Sequence, residues 1–240
     1  MSFTSKDLVQ IFEDKKKTYG IDTYRHISEI LREAKSIHKK YFDTRPDMID
    51  HEQSWRAFKG NNLERLLIHI LTNEVKELGL KIFSGNTLKQ NSSTRLDEIF
   101  DKVKRNLLID YGEFGMHLPD VDLVIFDPSD GYVLAVISIK VTLRERVSQT
   151  GYWKLTLLSA PVTKDIKVYF ITLDEDGTLT FKKPAKKGRA IVETDTDGGY
   201  VMTEANIEES GRVKKFDQFI SDIKILSESR KKIKHSNLKL

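Results

Sequence analysis

Cysteine is absent from the 240-residue sequence, which excludes thiol catalysis, thiolate zinc sites and disulfide bonds. Proline is scarce, with five residues, and 39% hydrophobic and 32% charged residues are typical of a compact domain rather than a disordered or fibrous chain. No run approaches the roughly 20 apolar residues of a membrane span, and the charged start lacks the apolar stretch of a secretory signal. These absences predict an intracellular protein with no membrane partner, and at this length stability requires no disulfide or structural metal.

A large excess of one charge is also missing. Forty Lys and Arg residues against 36 Asp and Glu residues give a net charge of +4, which is compatible with a nucleic-acid partner but does not select one. The histidines show no paired spacing typical of metal ligands, so we assign none of them to a metal. They are His26, His38, His51, His69, His117 and His235.

Helical periodicity dominates the first third of the chain. Apolar residues recur at three- and four-residue steps in Asp22–Phe42, which predicts an amphipathic helix. Asn61–Leu71 predicts a well-buried helix that begins near Gly60, because Asn61 can cap the amides of its first turn. Glu64 would then lie in the first two turns of that helix.

The centre of the sequence changes to a strand pattern. Val121–Phe126 and Tyr132–Val141 are apolar and β-branched, and the Pro and Gly of Asp127–Gly131 suit a tight turn, so we predict a β-hairpin. Its second strand is apolar on both faces as far as Ser138, which indicates a place in the middle of a covered sheet. Upstream, Phe83–Thr94 predicts a loop that is followed by a helix over about 94–108.

Further elements complete an α/β (α+β) fold with a helical N-terminal third and a central mixed sheet of about five strands flanked by helices. The predictions after the hairpin are a helix from Leu143–Arg146 to Ser159, a strand over Ile166–Leu173, short strands over Thr178–Phe181 and Ala190–Val192, a basic loop over Lys182–Arg189, a helix over Val213–Leu226 and a basic tail over Ser229–Leu240.

Chemistry-bearing side chains gather at one end of the hairpin. Asp120 and Asp122 share a face at the start of the first strand, and Ser138 and Lys140 share a face of the second. Pairing across the turn places Asp122 opposite about Ile137, which brings Lys140 to the aspartates. Carboxylates are ligands that Mg²⁺ prefers, and an ammonium can neutralise charge on a phosphate, so this end suits metal-assisted phosphodiester hydrolysis. A solvated rim of charged residues is the alternative reading.

The segment Pro119–Gln149 resembles the PD-(D/E)-x-K nucleases, and within them the type II restriction endonucleases. The matching elements are Pro119-Asp120 with Asp122, the hairpin to Ser138-Ile139-Lys140, and the continuation Val-Thr-Leu-Arg-Glu-Arg. That continuation is similar to the segment from lysine to recognition helix in restriction enzymes that read CC:GG-containing sites. The resemblance covers about 30 residues and an upstream helix.

The resemblance implies a role for each matching residue. Lys140 is implied as the catalytic lysine, and either Asp122 or Asp120 as the metal-binding aspartate. Asp122 is favoured because it directly precedes the apolar strand, whereas the proline-aspartate pattern literally names Asp120.

The sequence departs from the family pattern at the second acidic position, where Ser138 stands. Serine ligates Mg²⁺ poorly, and in similar nucleases another carboxylate takes its place. Some relatives carry Glu thirteen residues after the lysine, but this chain has Trp153 there. The upstream helix is therefore the better source, with Glu64 as the predicted metal ligand and Glu74 as the fallback.

Arg144, Glu145 and Arg146 suit base recognition. Arginine can donate to guanine O6 and N7, and a carboxylate can accept from cytosine N4, so this cluster at a helix start can read G and C edges in the major groove. The resemblance implies that Arg146 and Glu145 read bases and that Arg144 contacts a base or a phosphate. A solvated, self-paired helix face is the alternative.

Together with the residue pattern, the resemblance implies a type II site-specific deoxyribonuclease that cuts double-stranded DNA with Mg²⁺ at a short, CC:GG-containing site. A symmetric site predicts a homodimer, and the resemblance implies a cytoplasmic prokaryotic protein whose cognate DNA methyltransferase acts on the same site. We expect a single endonuclease domain over 1–240, with a mainly helical part over 1–78, a catalytic core over 79–228 and the tail over 229–240. The alternatives are a structure-specific repair or junction nuclease, an inactive DNA-binding module, and an interaction protein without nucleic acid.

Overall fold

The computed structural model describes residues 3–44, 50–89, 98–143 and 146–237, with the backbone alone described at positions 21, 146, 235 and 237. Eight α-helices and eight β-strands occur in these ranges. The helices are α1 (Ser5–Tyr19), α2 (Ile27–Phe42), α3 (His51–Glu77), α4 (Gly85–Lys89), α5 (Glu98–Arg105), α6 (Arg146–Leu158), α7 (Lys187–Asp195) and α8 (Phe219–Asn237). The strands are β1 (Lys81–Ser84), β2 (Ile109–Asp110), β3 (Met116–His117), β4 (Leu123–Phe126), β5 (Val133–Lys140), β6 (Lys167–Thr172), β7 (Gly198–Val201) and β8 (Val213–Lys215). Among the described helices, not one combines the length and the apolar character that a membrane crossing requires.

The helical first third is confirmed, but the start of its longest helix was predicted wrongly. Helix α3 begins at His51, so Gly60 and Asn61 lie in its interior rather than at its start. Asp50 is the residue that caps it, since its side chain accepts a hydrogen bond of 3.1 Å from the Gln53 amide. Glu64 therefore lies near the middle of a 27-residue helix.

The main sheet is mixed and has six strands in the order β1-β4-β5-β6-β7-β8, one more than the predicted number of about five. Strands β1, β4 and β5 are antiparallel, and β5 to β8 are parallel. The predicted hairpin is confirmed as β4–β5, with Leu123 paired to Ile137. Apolar side chains of β5 contribute to a core with α1–α3 on one face and to a core with α5 and α6 on the other, as expected for a central strand.

Two short strands were predicted where the chain forms none. Residues 178–181 form a bend, and Ala190–Val192 lies inside α7. The strand that follows β6 in the sheet is instead β7, which begins Gly198-Gly199 and so lacks the β-branched pattern that predicts a strand. Gly199 is needed there, because a Cβ at this position would press against the Val192 side chain of α7. Helix α7 and strand β7 thus pack too closely for a side chain.

The segment before the hairpin is more regular than the predicted loop. Within Phe83–Thr94, the chain completes strand β1 and then forms the short helix α4. Strand β1 lies at the edge of the sheet, where Ser84 pairs with Leu123. The helix predicted over 94–108 is α5, and the part of this segment over 90–97 lies outside the described residues.

The C-terminal prediction is corrected in two ways. Residues Val213–Lys215 form strand β8 rather than the start of a helix, and helix α8 extends to Asn237 through most of the predicted basic tail. Arg230 and Lys234 of α8 contact Asp130 in the hairpin turn at 3.1 and 3.0 Å. The basic residues within α8 therefore hold the hairpin turn by ion pairs. Residues 238–240 of the predicted tail lie outside the described residues.

Candidate active site

Asp122 and Lys140 meet at the end of the hairpin opposite its turn. Asp122 directly precedes β4, where its amide donates to the Ile137 carbonyl at 3.0 Å. One carboxylate oxygen, Oδ2, accepts hydrogen bonds from the Ile139 amide at 2.5 Å and from Lys140 Nζ at 2.8 Å. Both side chains keep about a quarter of their surface exposed, at 27% and 25%. The pair is fixed by backbone and ion-pair contacts and is still accessible to a ligand.

A cleft of about 1100 Å³ separates this strand end from the helical part of the chain. One wall consists of residues from α2 and α3. The other consists of Asn86 of α4, Asp122 before β4, and the end of β5 with the chain that follows β5 and β6. Its charged lining residues are Arg32, Lys35, Glu52, Arg56, Lys59, Glu64, Asp122, Lys140 and Glu175. The two walls bring the helix-borne Glu64 to the cleft that holds Asp122 and Lys140.

Glu64 is positioned by the segment that joins β1 to α4. The Ser84 hydroxyl donates to Glu64 Oε1 at 2.5 Å and accepts from the Asn86 amide at 3.3 Å. Because Ser84 is paired with Leu123 in the sheet, Glu64 is anchored beside the start of β4, one residue from Asp122. The fallback residue Glu74 is exposed, lies about 15 Å farther along α3 and is not part of the cleft lining.

Gly85 holds the same junction together through its backbone. Its amide donates to the Asp122 carbonyl at 2.8 Å, and a Cβ at this position would overlap the Val121 carbonyl oxygen. Only glycine permits so close an approach of the two backbones. The supports of Glu64 and Asp122 are therefore parts of one packed unit.

The structure does not bring Asp120 and Ser138 into the cleft lining. Asp120 keeps 63% of its side chain exposed and pairs with Lys89 Nζ at 2.5 Å. That hydrogen bond, together with the charges of Lys89 and Lys140, lowers the pKa of the Asp120 carboxyl. Ser138 is buried within β5. The geometry thus favours Asp122 over Asp120, although their roles remain predictions.

Helix α6 offers no replacement for the missing acidic residue. It contains no Asp or Glu, and Trp153, at the position where some relatives have Glu, packs against the core beside β4 and β5. Arg144 and Glu145 lie outside the described residues, as does the side chain of Arg146, the first residue of α6. The base-reading role of these three residues therefore stays a prediction.

The basic loop predicted over Lys182–Arg189 runs into α7, and its last residue has a structural function. Arg189 is fully buried, with its guanidinium paired with Glu193 at 2.9 Å and bonded to the carbonyls of Leu179 and Glu208. It holds the bend after β6 against α7 and is not available to a phosphate. The burial of Arg189 depends on tertiary contacts and could not be read from the basic composition.

One histidine lies close to the carboxylates of two glutamates. Ligand atoms of His26, Glu29 and Glu204 lie within 4.8 Å of one another. Glu29 is already bonded to Lys15 Nζ at 2.6 Å and to the Tyr19 hydroxyl at 2.9 Å. An ammonium at this distance competes with a cation for the carboxylate, so we assign no metal to this group.

The donor set in the cleft fits a hard divalent cation. Asp122 and Glu64 supply carboxylate oxygens from two separate elements that one junction holds together, and the cleft has room for waters and for a phosphate oxygen. Mg²⁺ is commonly bound in this way, by one or two carboxylates with several waters and substrate oxygens. The site can therefore hold a metal and a phosphate beside an ammonium group.

Comparison with known proteins gives consistent results. Residues 99–228 match the family described as BsaWI restriction endonuclease type 2. The chain is 34% identical over 212 residues to the putative type II restriction enzyme MjaVIP of Methanocaldococcus jannaschii, covering 82% of this chain and 92% of that protein. It is 35% identical over 134 residues to the probable type II restriction enzyme HpyAORF263P of Helicobacter pylori, covering 56% of this chain and 67% of that protein.

Two solved structures share the fold. The restriction endonuclease PspGI in its complex with substrate DNA is similar with a TM-score of 0.55 and 15% identity, over 94% of this chain and 93% of that one. The specific restriction endonuclease AgeI in complex with DNA is similar with a TM-score of 0.52 and 14% identity, over 93% of each chain. At such identities the likeness concerns the fold, and it covers the helical part as well as the sheet.

Proposed function

The chain belongs to the BsaWI family of type II restriction endonucleases, and from this membership we propose that it uses Mg²⁺ to cut double-stranded DNA at a short, CC:GG-containing site. The observation that carries the proposal is the meeting of Asp122, Glu64 and Lys140 at one cleft. Two carboxylates with an ammonium group suit the hydrolysis of a phosphodiester, in which negative charge must be neutralised while water attacks.

The three side chains divide two tasks in the proposed reaction. Asp122 and Glu64 would hold Mg²⁺, which supplies the charge that polarises the scissile phosphate when it is bound. Lys140, oriented by its contact with Asp122, would donate a hydrogen bond to the attacking water or to a phosphate oxygen. The water oxygen forms a new bond to phosphorus and gives up one proton to the solvent. One phosphorus–oxygen ester bond breaks, and the released alkoxide oxygen takes up a proton from the solvent.

Sequence recognition is assigned to Arg144, Glu145 and Arg146. Arginine and glutamate suit guanine and cytosine edges, and this segment begins four residues after Lys140. The proposed base-reading residues are therefore separated from the proposed catalytic lysine by only a few residues of the chain. PspGI and AgeI, the proteins whose DNA complexes share this fold, support duplex DNA as the ligand.

The proposed assembly is a homodimer. A two-fold symmetric duplex site is matched most simply by two copies of one chain, each of which cuts one strand. A cognate DNA methyltransferase would modify the same site without binding this chain. Because the substrate would be intracellular DNA, we propose a cytoplasmic location.

A digest of a sequenced plasmid tests the proposal. With Mg²⁺ the purified protein is expected to give discrete fragments whose mapped ends share one CC:GG-containing sequence. Lys140→Ala is expected to abolish cutting and to retain DNA binding. Cutting only at branches or ends would instead indicate a structure-specific nuclease, and binding without metal-dependent cutting in the wild-type protein would indicate an inactive module.

A further inference from the structure

The charges that line the cleft do not balance locally. Three ion pairs each join a cation to a carboxylate: Lys140 with Asp122 at 2.8 Å, Lys59 with Glu175 at 2.5 Å and Lys35 with Glu52 at 2.7 Å. The remaining carboxylate, Glu64, is bonded to Ser84. Two lining cations are left over, and both are arginines.

Arg32 of α2 and Arg56 of α3 are these two residues. Both are exposed, and among the described residues no carboxylate oxygen lies within 4.0 Å of either guanidinium group. Glu52, which lies one helical turn before Arg56, already accepts hydrogen bonds from Lys35. The helical wall of the cleft therefore presents two guanidinium groups that form no salt bridge within the described part of the chain.

The position of these arginines follows from helix geometry. Arg56 and Glu64 are eight residues apart on α3, which is a rise of about 12 Å. Both residues line the cleft. Arg32 reaches the same cleft from α2, where Ser28, Leu31 and Lys35 also line it. A DNA strand carries one phosphate for about every 3.4 Å of helix axis. Arg56 thus lies about two to four nucleotides from the place where the scissile phosphate would sit, and Arg32 lines the same cleft.

We propose that Arg32 and Arg56 bind a backbone phosphate of the DNA strand in the cleft, about two to four nucleotides from the phosphate that is cut. A guanidinium presents two parallel donors to phosphate oxygens, which makes arginine better suited than lysine to hold one phosphate in place. Such a contact fixes the register of the strand and reads no base. The inference rests on the proposed function and adds a second, non-catalytic contact with the substrate.

The salt dependence of DNA binding provides the first test. Arg32 and Arg56 are replaced by glutamine together, and a short duplex is bound in EDTA so that no cutting occurs. We expect affinity to fall about tenfold or more, and the slope of log affinity against log salt to become shallower by about 1 for one lost phosphate contact. Because both side chains are exposed, the thermal unfolding midpoint should not change, and this measurement identifies any misfolded variant.

Arg65→Gln is the matched control. Arg65 is an exposed arginine of the same helix, but it lies nine residues after Arg56 and so on the opposite side of α3, where it donates to the Ser5 hydroxyl at 3.2 Å. This variant is expected to keep the wild-type salt slope. An equal change in Arg65→Gln and in the double variant would mean only a general effect of charge and would overturn the assignment.

Neutral methylphosphonate linkages provide the second test. Placed one at a time along each strand of the duplex, they should weaken wild-type binding at a linkage about two to four nucleotides from the cut, and have no further effect there in the double variant. A double variant with unchanged affinity, salt slope and linkage profile would refute the inference. If the wild-type protein cuts no DNA with Mg²⁺, the proposed function fails, whereas the salt slope still reports whether the arginines contact DNA.

Discussion

The β4–β5 hairpin has an aspartate–cation cluster at each end, and the cluster at the strand end lines the cleft. At the strand end, Lys140 contacts Asp122 at 2.8 Å on the cleft wall. At the turn end, Arg230 and Lys234 of α8 contact Asp130 at 3.1 and 3.0 Å. The same pair of residue types is thus used twice within one supersecondary unit.

The two clusters differ in what surrounds them. At the turn end, the Arg230 guanidinium also lies 4.0 Å from the centre of the Tyr132 ring, and two cations of α8 contact the aspartate. Burial alone would raise the pKa of Asp130, but hydrogen bonds from Lys234 and the Tyr132 amide, with the charges of Lys234 and Arg230, lower the pKa overall. At the strand end, a second carboxylate, Glu64, faces the same open cleft. An Asp–Lys pair therefore indicates a reaction site only where a cleft and another ligand accompany it.

The largest expected effect separates the two ends directly. Asp122→Asn should lower the rate of Mg²⁺-dependent cutting by about 10³-fold or more, because it removes a carboxylate proposed to hold Mg²⁺. DNA binding in EDTA should persist. Asp130→Asn, the matched change at the turn end, should keep cutting at 25 °C within about threefold. Similar losses of cutting in both variants would contradict the distinction, and single-turnover rates measure them.

The second prediction concerns Glu64, the second carboxylate at the strand end. Glu64→Gln should reduce cutting by about 10²-fold and raise the Mg²⁺ concentration needed for half-maximal rate, because it removes a metal ligand. Glu74→Gln, the same change farther along α3, should have no effect. A Mg²⁺ titration of both variants measures this, and an inactive Glu74 variant with an active Glu64 variant would reverse the assignment.

A smaller effect is expected from the hydroxyl that orients Glu64. Ser84→Ala leaves every proposed metal ligand in place but removes the 2.5 Å hydrogen bond to Glu64. We expect about a tenfold higher Mg²⁺ requirement with little change in the rate at saturating Mg²⁺, and Ser84→Thr should restore the wild-type requirement. A lower rate at saturating Mg²⁺ that threonine does not restore would contradict a positioning role.

The turn end should respond in stability rather than in cutting. Arg230→Ala removes an ion pair and a cation–π contact, a loss of about 1 kcal/mol, which for a chain of this size lowers the melting temperature by about 2–4 °C. The pKa of Asp130 is lower in the folded chain than its ordinary value of 3.8. Its contribution to the free energy of unfolding is therefore complete above pH 3.8 and is lost as the pH falls through the folded-state pKa. The melting difference between wild type and Asp130→Asn should therefore shrink below about pH 4. A constant difference down to pH 2 would contradict this assignment.

The smallest expected change is at Asp120, which separates the two aspartates of the sequence motif. Asp120→Asn should alter cutting by less than about threefold, because this carboxylate pairs with Lys89 at 2.5 Å outside the cleft lining. The same single-turnover assay measures it. A loss comparable to that of Asp122→Asn would make Asp120 a metal ligand after all.

Local patterns explain which parts of the fold could be predicted. The hairpin and the strand over Ile166–Leu173 have dense β-branched runs, and the turn between the hairpin strands has its own residue signature. These local signals made the hairpin and the strand predictable, and the structure confirms both elements. Strand β7, with two glycines, and the three-residue strand β8 form only because the neighbouring strands and α7 pack against them. No periodicity in the sequence could indicate such elements.

The candidate site divides in the same way. Asp122 and Lys140 could be placed together because the alternation of side chains along two strands fixes their side and their end. The prediction placed Ser84, Gly85 and Asn86 in a polar loop. Their role in positioning Glu64 is seen only in the structure, where the Ser84 hydroxyl donates a hydrogen bond to Glu64. The contact between a helix and an edge strand has no signature within either segment.

Gly85 gives the site a property that no side chain supplies. Its amide bond to the Asp122 carbonyl and its clearance from the Val121 carbonyl set how far the edge strand, and with it Glu64, lies from Asp122. Mg²⁺ takes ligands at about 2.0–2.1 Å and Ca²⁺ at about 2.3–2.6 Å. The distance between the Asp122 and Glu64 carboxylates would then select the metal ion by its radius. A methyl group at position 85 should increase this distance and so favour Ca²⁺ over Mg²⁺.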